Sequence, residues 1–267
     1  MQPNNSTNAV LLQIADGVAW ITLNRPERLN AFAGTMRDDL DQAINEAGQR
    51  QGVRVVVITG TGRGFSTGAD LAVTSALAAQ RDEEGFAALV QAGMRVIRRL
   101  RSVPQPVIAA INGPAAGAGA SLALACDVRI ASEAGSIGFT FNRIGLHPDW
   151  GATYFLPRMV GLGRATELIL SGRIVPAAEA ERIGLVDRVI PSERFRDEVR
   201  AYATALAAKP PLALAAAKRT LARSLVGDLE EVLLAEFAAQ MECFRSADAR
   251  EGIGAFVEKR TPTFTGE

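Results

Sequence analysis

PVIAAINGPAAGAGASLALACD, from Pro106 to Asp127, is the stretch whose reading decides the fold. Val107 to Ile111 is wholly apolar, and only a strand covered on both faces tolerates so few polar groups. Asn112-Gly113-Pro114 ends that strand, and small residues at Gly117-Ala118-Gly119 open a helix. A strand that feeds a helix start in this way aims unpaired backbone N–H groups, at the positive end of the helix dipole, into whatever sits above the strand. Small side chains there let a ligand oxygen reach the backbone itself. Such a site holds an anion with amides rather than with a metal. A tightly packed strand–helix turn without a ligand has the same pattern, so this segment alone does not decide the function.

A second segment repeats the arrangement. Val53 to Thr59 reads as a strand, Gly60-Thr61-Gly62-Arg63 as a glycine-rich loop, and GFSTGADL (Gly64 to Leu71) as the approach to another helix. Two such units can oppose two backbone N–H groups across one oxygen, which is the geometry of an oxyanion hole.

Outward from these segments, Val10–Ile14 and Val18–Leu23 form a hairpin turning at Asp16-Gly17. Met36, Leu40, Ala43, Ile44 and Ala47 have helical spacing, which predicts a helix over about Ala33 to Arg50. A helical pattern also runs from about Glu83 to Arg101, whereas its Ala-rich lead-in, Ala72 to Gln80, reads as a mobile loop near a pocket mouth. Val128–Ala131 and Ser136–Phe139 are strand-like. Strands joined through helices imply right-handed crossovers and a mostly parallel α/β core. Beyond about Ser192 the pattern is helical throughout: Glu193–Ala208, Leu212–Leu225, Leu229–Phe244 and Ala247–Lys259. Such a tail either caps the core or packs on a neighbouring subunit. The expected division is a core over 1–191 and a helical region over 192–267.

Composition excludes several classes. The 267 residues are 48% apolar, enough for one large core with a small appendage. Lys+Arg and Asp+Glu are both 29, so a general nucleic-acid or anionic-membrane surface is not expected. No apolar run reaches the ~18 residues of a membrane span. Met1 to Asn8 is polar and uncharged rather than signal-like. Cys126 and Cys243 cannot make a disulfide framework and read as reduced thiols, which suits a cytoplasmic location. With a single histidine, His147, no zinc site is expected.

Together the motifs resemble the crotonase (enoyl-CoA hydratase/isomerase) superfamily. GFSTGADL and the Pro106–Asp127 stretch are similar to its two oxyanion-hole segments, in the same order and spacing. RLNAF (Arg28 to Phe32) resembles its early CoA-binding loop, and REGIGAFVEKRTPTF (Arg250 to Phe264) its C-terminal helix and tail. The resemblance covers about residues 10 to 264. It implies a superhelix of ββα units, an acyl-CoA thioester as substrate with no other cofactor, and C-terminal helices that build a trimer or hexamer. It also implies oxyanion donors at Ala69 and Ala118, and substrate or CoA contacts at Gly68, Asp70, Leu71, Gly117, Phe141 and Trp150. Arg28 and Ala31 would line the CoA groove. Phe256 and Lys259 would reach the CoA of a neighbouring subunit, although Lys259-Arg260 also fits an ordinary solvated helix end.

The acid/base residues follow from register. The superfamily's hydratases set two glutamates around a water, and the positions that align with them hold Ser121 and Phe141. Neither exchanges protons as a carboxylate does, so hydration lacks both its base and its acid. One carboxylate remains. Asp149, in GLHPDWGATYFLPR, precedes an amphipathic stretch and has the position of a helix N-cap. It is also flanked by Trp150, with Phe139 and Phe141 nearby in sequence, an apolar wall that would raise its pKa. By resemblance the position is that of the single catalytic acid of the enoyl-CoA and ring-epoxide isomerases. His147 is expected to be a packed or exposed loop residue. An acyl-CoA isomerase is therefore the leading expectation. A hydratase with a displaced acid/base pair, an aryl-CoA dehalogenase using Asp149 as nucleophile, and a non-catalytic acyl-CoA-binding protein are its rivals.

Overall fold

The wholly apolar strand at Val107–Ile111 is apolar because both of its faces are covered. Val107, Ala109 and Ile111 point into one hydrophobic core, and Ile108 and Ala110 into a second. A computed structural model describes residues 8–267; the polar N-terminal stretch lies outside them except for Asn8.

In chain order the elements are β1 (Val10–Ala15), β2 (Val18–Leu23), α1 (Met36–Gln49), β3 (Val55–Gly60), α2 (Leu71–Gln80) and α3 (Glu83–Ser102). Then come β4 (Val107–Ile111), β5 (Pro114–Ala116), α4 (Ala118–Ala125), β6 (Val128–Ser132) and β7 (Ser136–Gly138). The middle closes with α5 (Ala152–Val160), α6 (Leu162–Ser171), β8 (Ile174–Pro176), α7 (Ala177–Arg182) and β9 (Arg188–Ile190). The last four are helices: α8 (Phe195–Ala207), α9 (Pro211–Ser224), α10 (Leu229–Arg245) and α11 (Ala247–Glu258).

Six strands form one sheet in the order β1-β2-β3-β4-β6-β9. Only the β1–β2 hairpin is antiparallel; every other neighbour is parallel, with Val57 opposite Ile108 and Ile108 opposite Val128. Three short strands, β5-β7-β8, make a second sheet. This is the mostly parallel α/β architecture that the sequence predicts, with crossover helices on the faces. The first core lies beneath α1, α3 and α4 through Leu40, Ile44, Val96, Leu100 and Leu122. The second lies beneath α8, through Phe195, Val199, Ala203 and Ala207.

Two local expectations are corrected. Ala72–Gln80 is not a loop but part of α2, capped by Asp70, whose carboxylate accepts from the Ala72 N–H at 3.1 Å. No residue of α2 is buried, so the helix carries no apolar stripe for periodicity to detect; Ala-rich composition and the cap hold it. Nor does Asp149 cap a helix. Trp150 and Gly151 both adopt positive φ, at +52° and +81°, and Gly151 is the residue that leads into α5. That double left-handed turn makes Gly151 the N-cap, with no side-chain cap hydrogen bond, and the Asp149 carbonyl serves the turn, accepting from Ala152 at 3.1 Å.

The helical tail divides its labour. While α8 covers the sheet, α10 buries none of its residues and leaves Leu229, Leu233, Leu234, Phe237 and Phe244 exposed. Phe256 and Val257 on α11 are exposed as well. Lys218 of α9 ties this tail to the core, its ammonium 2.7 Å from the Asp127 carboxylate that also pairs with Arg101. Beside that cluster Cys126 is wholly buried, and burial pushes its thiol up to about 12; Cys243, on α10, is half-buried, and both cysteines are free. No helix among the described residues is long and apolar enough to cross a membrane.

Candidate active site

The two glycine-rich segments meet as the sequence reading requires. Ser66 and Ala115 form a parallel bridge, the Ala116 N–H donates to Ser66 O at 2.9 Å, and the Phe65 N–H donates to Pro114 O at 3.1 Å. Beyond this pairing the chains separate only slightly. A Cβ built on Gly68, whose φ is +85°, would lie 2.9 Å from the Ala118 nitrogen and 2.7 Å from Ala116 O. A Cβ on Gly119 would lie 2.1 Å from the Ser66 carbonyl oxygen. Glycine is therefore required at both positions for backbone-to-backbone contact.

This approach sets Ala69 next to Ala118. Among the backbone hydrogen bonds of the described residues, neither N–H has an acceptor, whereas their neighbours do: Asp70 N–H donates to Phe32 O and Gly117 N–H to Gly138 O. Ala118 is the first residue of α4, where an unpaired N–H is unavoidable. An oxyanion placed between the two amides would receive two donors and the positive end of a helix. Phe141 is buried beside this point, its ring tip 3.9 Å from where a Gly117 Cβ would be.

Asparagines brace the loops. Asn30, fully buried, donates to Thr61 O at 3.0 Å and Gly64 O at 2.8 Å, and Asn112 donates to Gly62 O at 2.9 Å and Gly64 O at 3.1 Å. Ala31 is nearly buried and Arg28 is exposed on a single 3-10 turn, Pro26–Arg28. Arg25 joins this loop to the next segment. Its guanidinium donates to Ala31 O at 2.6 Å and to the Asp70 carboxylate at 3.2 Å. Leu71, one residue on, is exposed.

Asp149 lies against the same region through an aromatic pair. Phe32 bonds both flanks of Ala69, donating its N–H to Gly68 O at 2.7 Å and accepting from Asp70 N–H at 3.1 Å. Its ring packs on Trp150 with centroids 4.7 Å apart. Trp150 is buried against α3, where a Cβ on Gly93 would overlap the indole at 1.9 Å. Beside this stack, Asp149 Oδ1 is buried and has no hydrogen-bond partner. Burial pushes the Asp149 carboxyl up to about 6, and the charge of Arg37 opposes that rise. A carboxyl in this range exchanges protons near neutral pH.

Ser121 and Phe141, which the sequence reading aligns with the hydratase glutamates, are both buried. Ser121 is fully buried and its hydroxyl donates to Gly117 O at 3.2 Å, inside α4. His147 is exposed. An apolar cavity of about 440 Å³ opens between α2 and α3, lined by Leu77, Ala78, Phe86 and Ala87 and by Leu146 from the loop before Asp149. A larger groove of about 600 Å³ lies on the far face of the sheet beside α8 and contains none of the candidate residues. Phe256 and Lys259, exposed on α11 and at its C-cap, are not gathered with Asp149, Ala69 and Ala118 by any contact within the chain. Among the described residues no cluster of three His, Cys, Asp or Glu side chains forms. Sequence reasoning missed Arg25, Asn30 and Arg37. Asn30 lies inside the quoted RLNAF motif and Arg25 three residues before it, but Arg37 follows Met36 on what reads as the polar side of α1 and gives no signal.

The chain matches the family described as enoyl-CoA hydratase/isomerase over residues 13–267. It is 42% identical over 264 residues to a Rhodobacter capsulatus protein named "Probable enoyl-CoA hydratase", covering 98% of this chain and 99% of that one. It is 37% identical over 265 residues to the 1,2-epoxyphenylacetyl-CoA isomerase of Escherichia coli K12, covering 97% and 98%. Among solved structures, an enoyl-CoA hydratase from Bacillus anthracis superposes with a TM-score of 0.93 at 36% identity, covering 97% of this chain and 100% of that one.

Proposed function

Because the chain belongs to the enoyl-CoA hydratase/isomerase (crotonase) family, we propose that within it this protein is an acyl-CoA isomerase with one proton-carrying side chain. The observation that carries this reading is the half-buried Asp149 carboxyl, its Oδ1 buried without a partner and its pKa pushed up to about 6, in a chain with Ser121 and Phe141 where the aligned hydratases would need carboxylates.

The thioester carbonyl sits between the Ala69 and Ala118 N–H groups. Asp149 takes a proton from the carbon next to the carbonyl, and the electron pair moves onto the thioester oxygen as an enolate. The two amides hold that charge; losing one such donor costs ~3–4 kcal/mol of transition-state stabilisation. With a 3-enoyl thioester the enolate extends into the double bond, and return of the same proton at the far carbon gives the conjugated 2-enoyl product. Nothing is added or lost, so one base suffices. A ring epoxide on the acyl group offers the same enzyme a second rearrangement, which the relation to the Escherichia coli epoxyphenylacetyl-CoA isomerase supports.

Hydration is the competing reading, favoured by the names of most relatives. It needs a base for water and an acid for carbon, and Ser121 provides neither because its hydroxyl is spent inside α4. The deciding experiment supplies purified protein with 3-enoyl-, 2-enoyl- and ring-epoxide CoA thioesters. Conversion of 3-enoyl-CoA to 2-enoyl-CoA faster than hydration of 2-enoyl-CoA supports the isomerase; the reverse order establishes the hydratase. The apolar side chains of α10 and α11 support assembly into a trimer or hexamer in which Phe256 and Lys259 reach a neighbour's CoA. Light scattering that finds a fully active monomer would remove that part.

A further inference from the structure

Arg37 is the one buried charge near the candidate site that the isomerase scheme leaves unused. It sits in the first turn of α1, is 5% exposed, and its Nε is buried without any acceptor. Among the described residues the only hydrogen bond of its guanidinium goes to Phe32 O at 3.4 Å, near the limit of such bonds. The guanidinium carbon lies 5.7 Å from the centre of the Phe32 ring, which itself stacks on Trp150 beside Asp149. A buried cation this poorly satisfied is costly to the fold unless something nearby uses its charge.

We propose that Arg37 is a positioning residue for Asp149: from α1 its guanidinium faces the carboxyl across the Phe32–Trp150 stack and keeps it ionised while leaving its Oδ1 free. The inference rests on the reading of Asp149 as the base. A direct hydrogen-bonded ion pair would hold the carboxylate low and occupy the lone pairs needed to accept a proton. A cation acting through space has only the first effect. Both Arg37 Nε and Asp149 Oδ1 are buried without partners, as that arrangement requires.

The other charges around the pair are accounted for. Asp38, next to Arg37 on α1, bonds Arg95 of α3 at 2.7 Å. Asp70 is held by Arg25 and by the Ala72 N–H. On α5, Arg158 lies over the Tyr154 ring at 3.7 Å. His147, on the Asp149 loop, is exposed, and its charge also draws the Asp149 carboxyl down, less strongly than Arg37; neither α2 nor α4 carries a titratable side chain. Arg37 is the foremost influence drawing the Asp149 carboxyl down, and Asp149 the foremost anion supporting the charge on Arg37.

The test follows the ionisation of Asp149 directly and through turnover. In a Trp20→Phe background, Trp150 is the remaining tryptophan and neighbours the carboxyl. Its fluorescence should titrate near pH 6, and Asp149→Asn should abolish that step. Arg37→Met, which keeps the apolar stem, should raise the midpoint by at least about one unit, the size expected for loss of a nearby opposite charge. Arg37→Lys should keep it within about half a unit. The acid limb of kcat/KM should move with it. A midpoint unchanged in a folded Arg37→Met protein overturns the inference, as does an equal shift in Arg37→Lys. If the fluorescence midpoint moves and the acid limb of turnover does not, the Arg37 inference stands and the reading of Asp149 as base falls.

Discussion

The two halves of the candidate site are built in opposite ways. The proposed anion-holding half is backbone: Ala69 and Ala118 offer peptide N–H groups, and glycines at 68 and 119 let two loops touch. The proposed proton-carrying half is one side chain, Asp149, set in apolar surroundings with an oxygen left without a partner. The first is over-determined by hydrogen bonds from Asn30, Ser66 and Asn112. The second is under-satisfied, and the proton transfer proposed for it draws on that deficiency. Geometry should therefore fail first when the glycines change, and chemistry alone when the carboxyl changes.

Gly119→Ala should have the largest effect. Its Cβ would meet the Ser66 carbonyl oxygen at 2.1 Å, and a backbone atom cannot swing aside as a side chain does. We expect a loss of roughly 10³-fold or more in turnover together with a lower melting temperature, since both the amide pair and loop packing are displaced. A stable and active Gly119→Ala protein would break the claim that this half is fixed by backbone contact.

Asp149→Asn should separate the halves. Turnover should fall at least ~10²-fold while acyl-CoA affinity stays near wild type. Stability should change the other way. A carboxyl raised to about 6 in the folded protein contributes stability below its unfolded value, and that contribution is lost as pH rises through 6. Near pH 7.5 the buried carboxylate is thus a burden, and Asn should be the more stable by about 1–3 kcal/mol, with the difference vanishing below about pH 4. Melting curves at both pH values check this, and a less stable Asn variant at pH 7.5 would contradict it.

Hydration of crotonyl-CoA should run at least ~100-fold slower than isomerisation, because Ser121 and Phe141 supply no carboxylate. Rapid formation of 3-hydroxyacyl-CoA would show that water is activated by a group other than these. The smallest effect is expected at Arg25→Gln. It loosens Ala31 O and Asp70 without touching Ala69, Ala118 or Asp149, so KM for acyl-CoA should rise about two- to five-fold with kcat nearly unchanged.

The same contrast explains what the sequence reveals. Backbone sites leave a signature because only small residues permit close approach, so GFSTGADL and GPAAGAGAS are legible in the sequence. The doubly covered strand Val107–Ile111 was legible for a similar reason: burial on both faces leaves no polar position. Asp149 was legible as a carboxyl in apolar company, but its conformation was not, since Trp150 at φ +52° is a backbone state that few side chains adopt. The helix α2 escaped detection because it buries nothing, and Arg37 because a charged residue on an amphipathic helix ordinarily faces water. What decides its environment is Phe32 and Trp150, the latter more than a hundred residues away in sequence, a contact that only tertiary folding creates.

The contrast between Cys126 and Cys243 has a practical consequence. Cys126 is sealed, pushed up to about 12, and its thiol lies 3.4 Å from Leu122 O within α4. A maleimide applied to the native chain therefore finds one addressable sulfur, Cys243 on α10, the helix whose apolar side chains lie uncovered in the single chain. A dye placed there needs no engineered cysteine and reports from that helix alone. Its rate of attachment, followed as protein concentration is raised, reads how often α10 is covered.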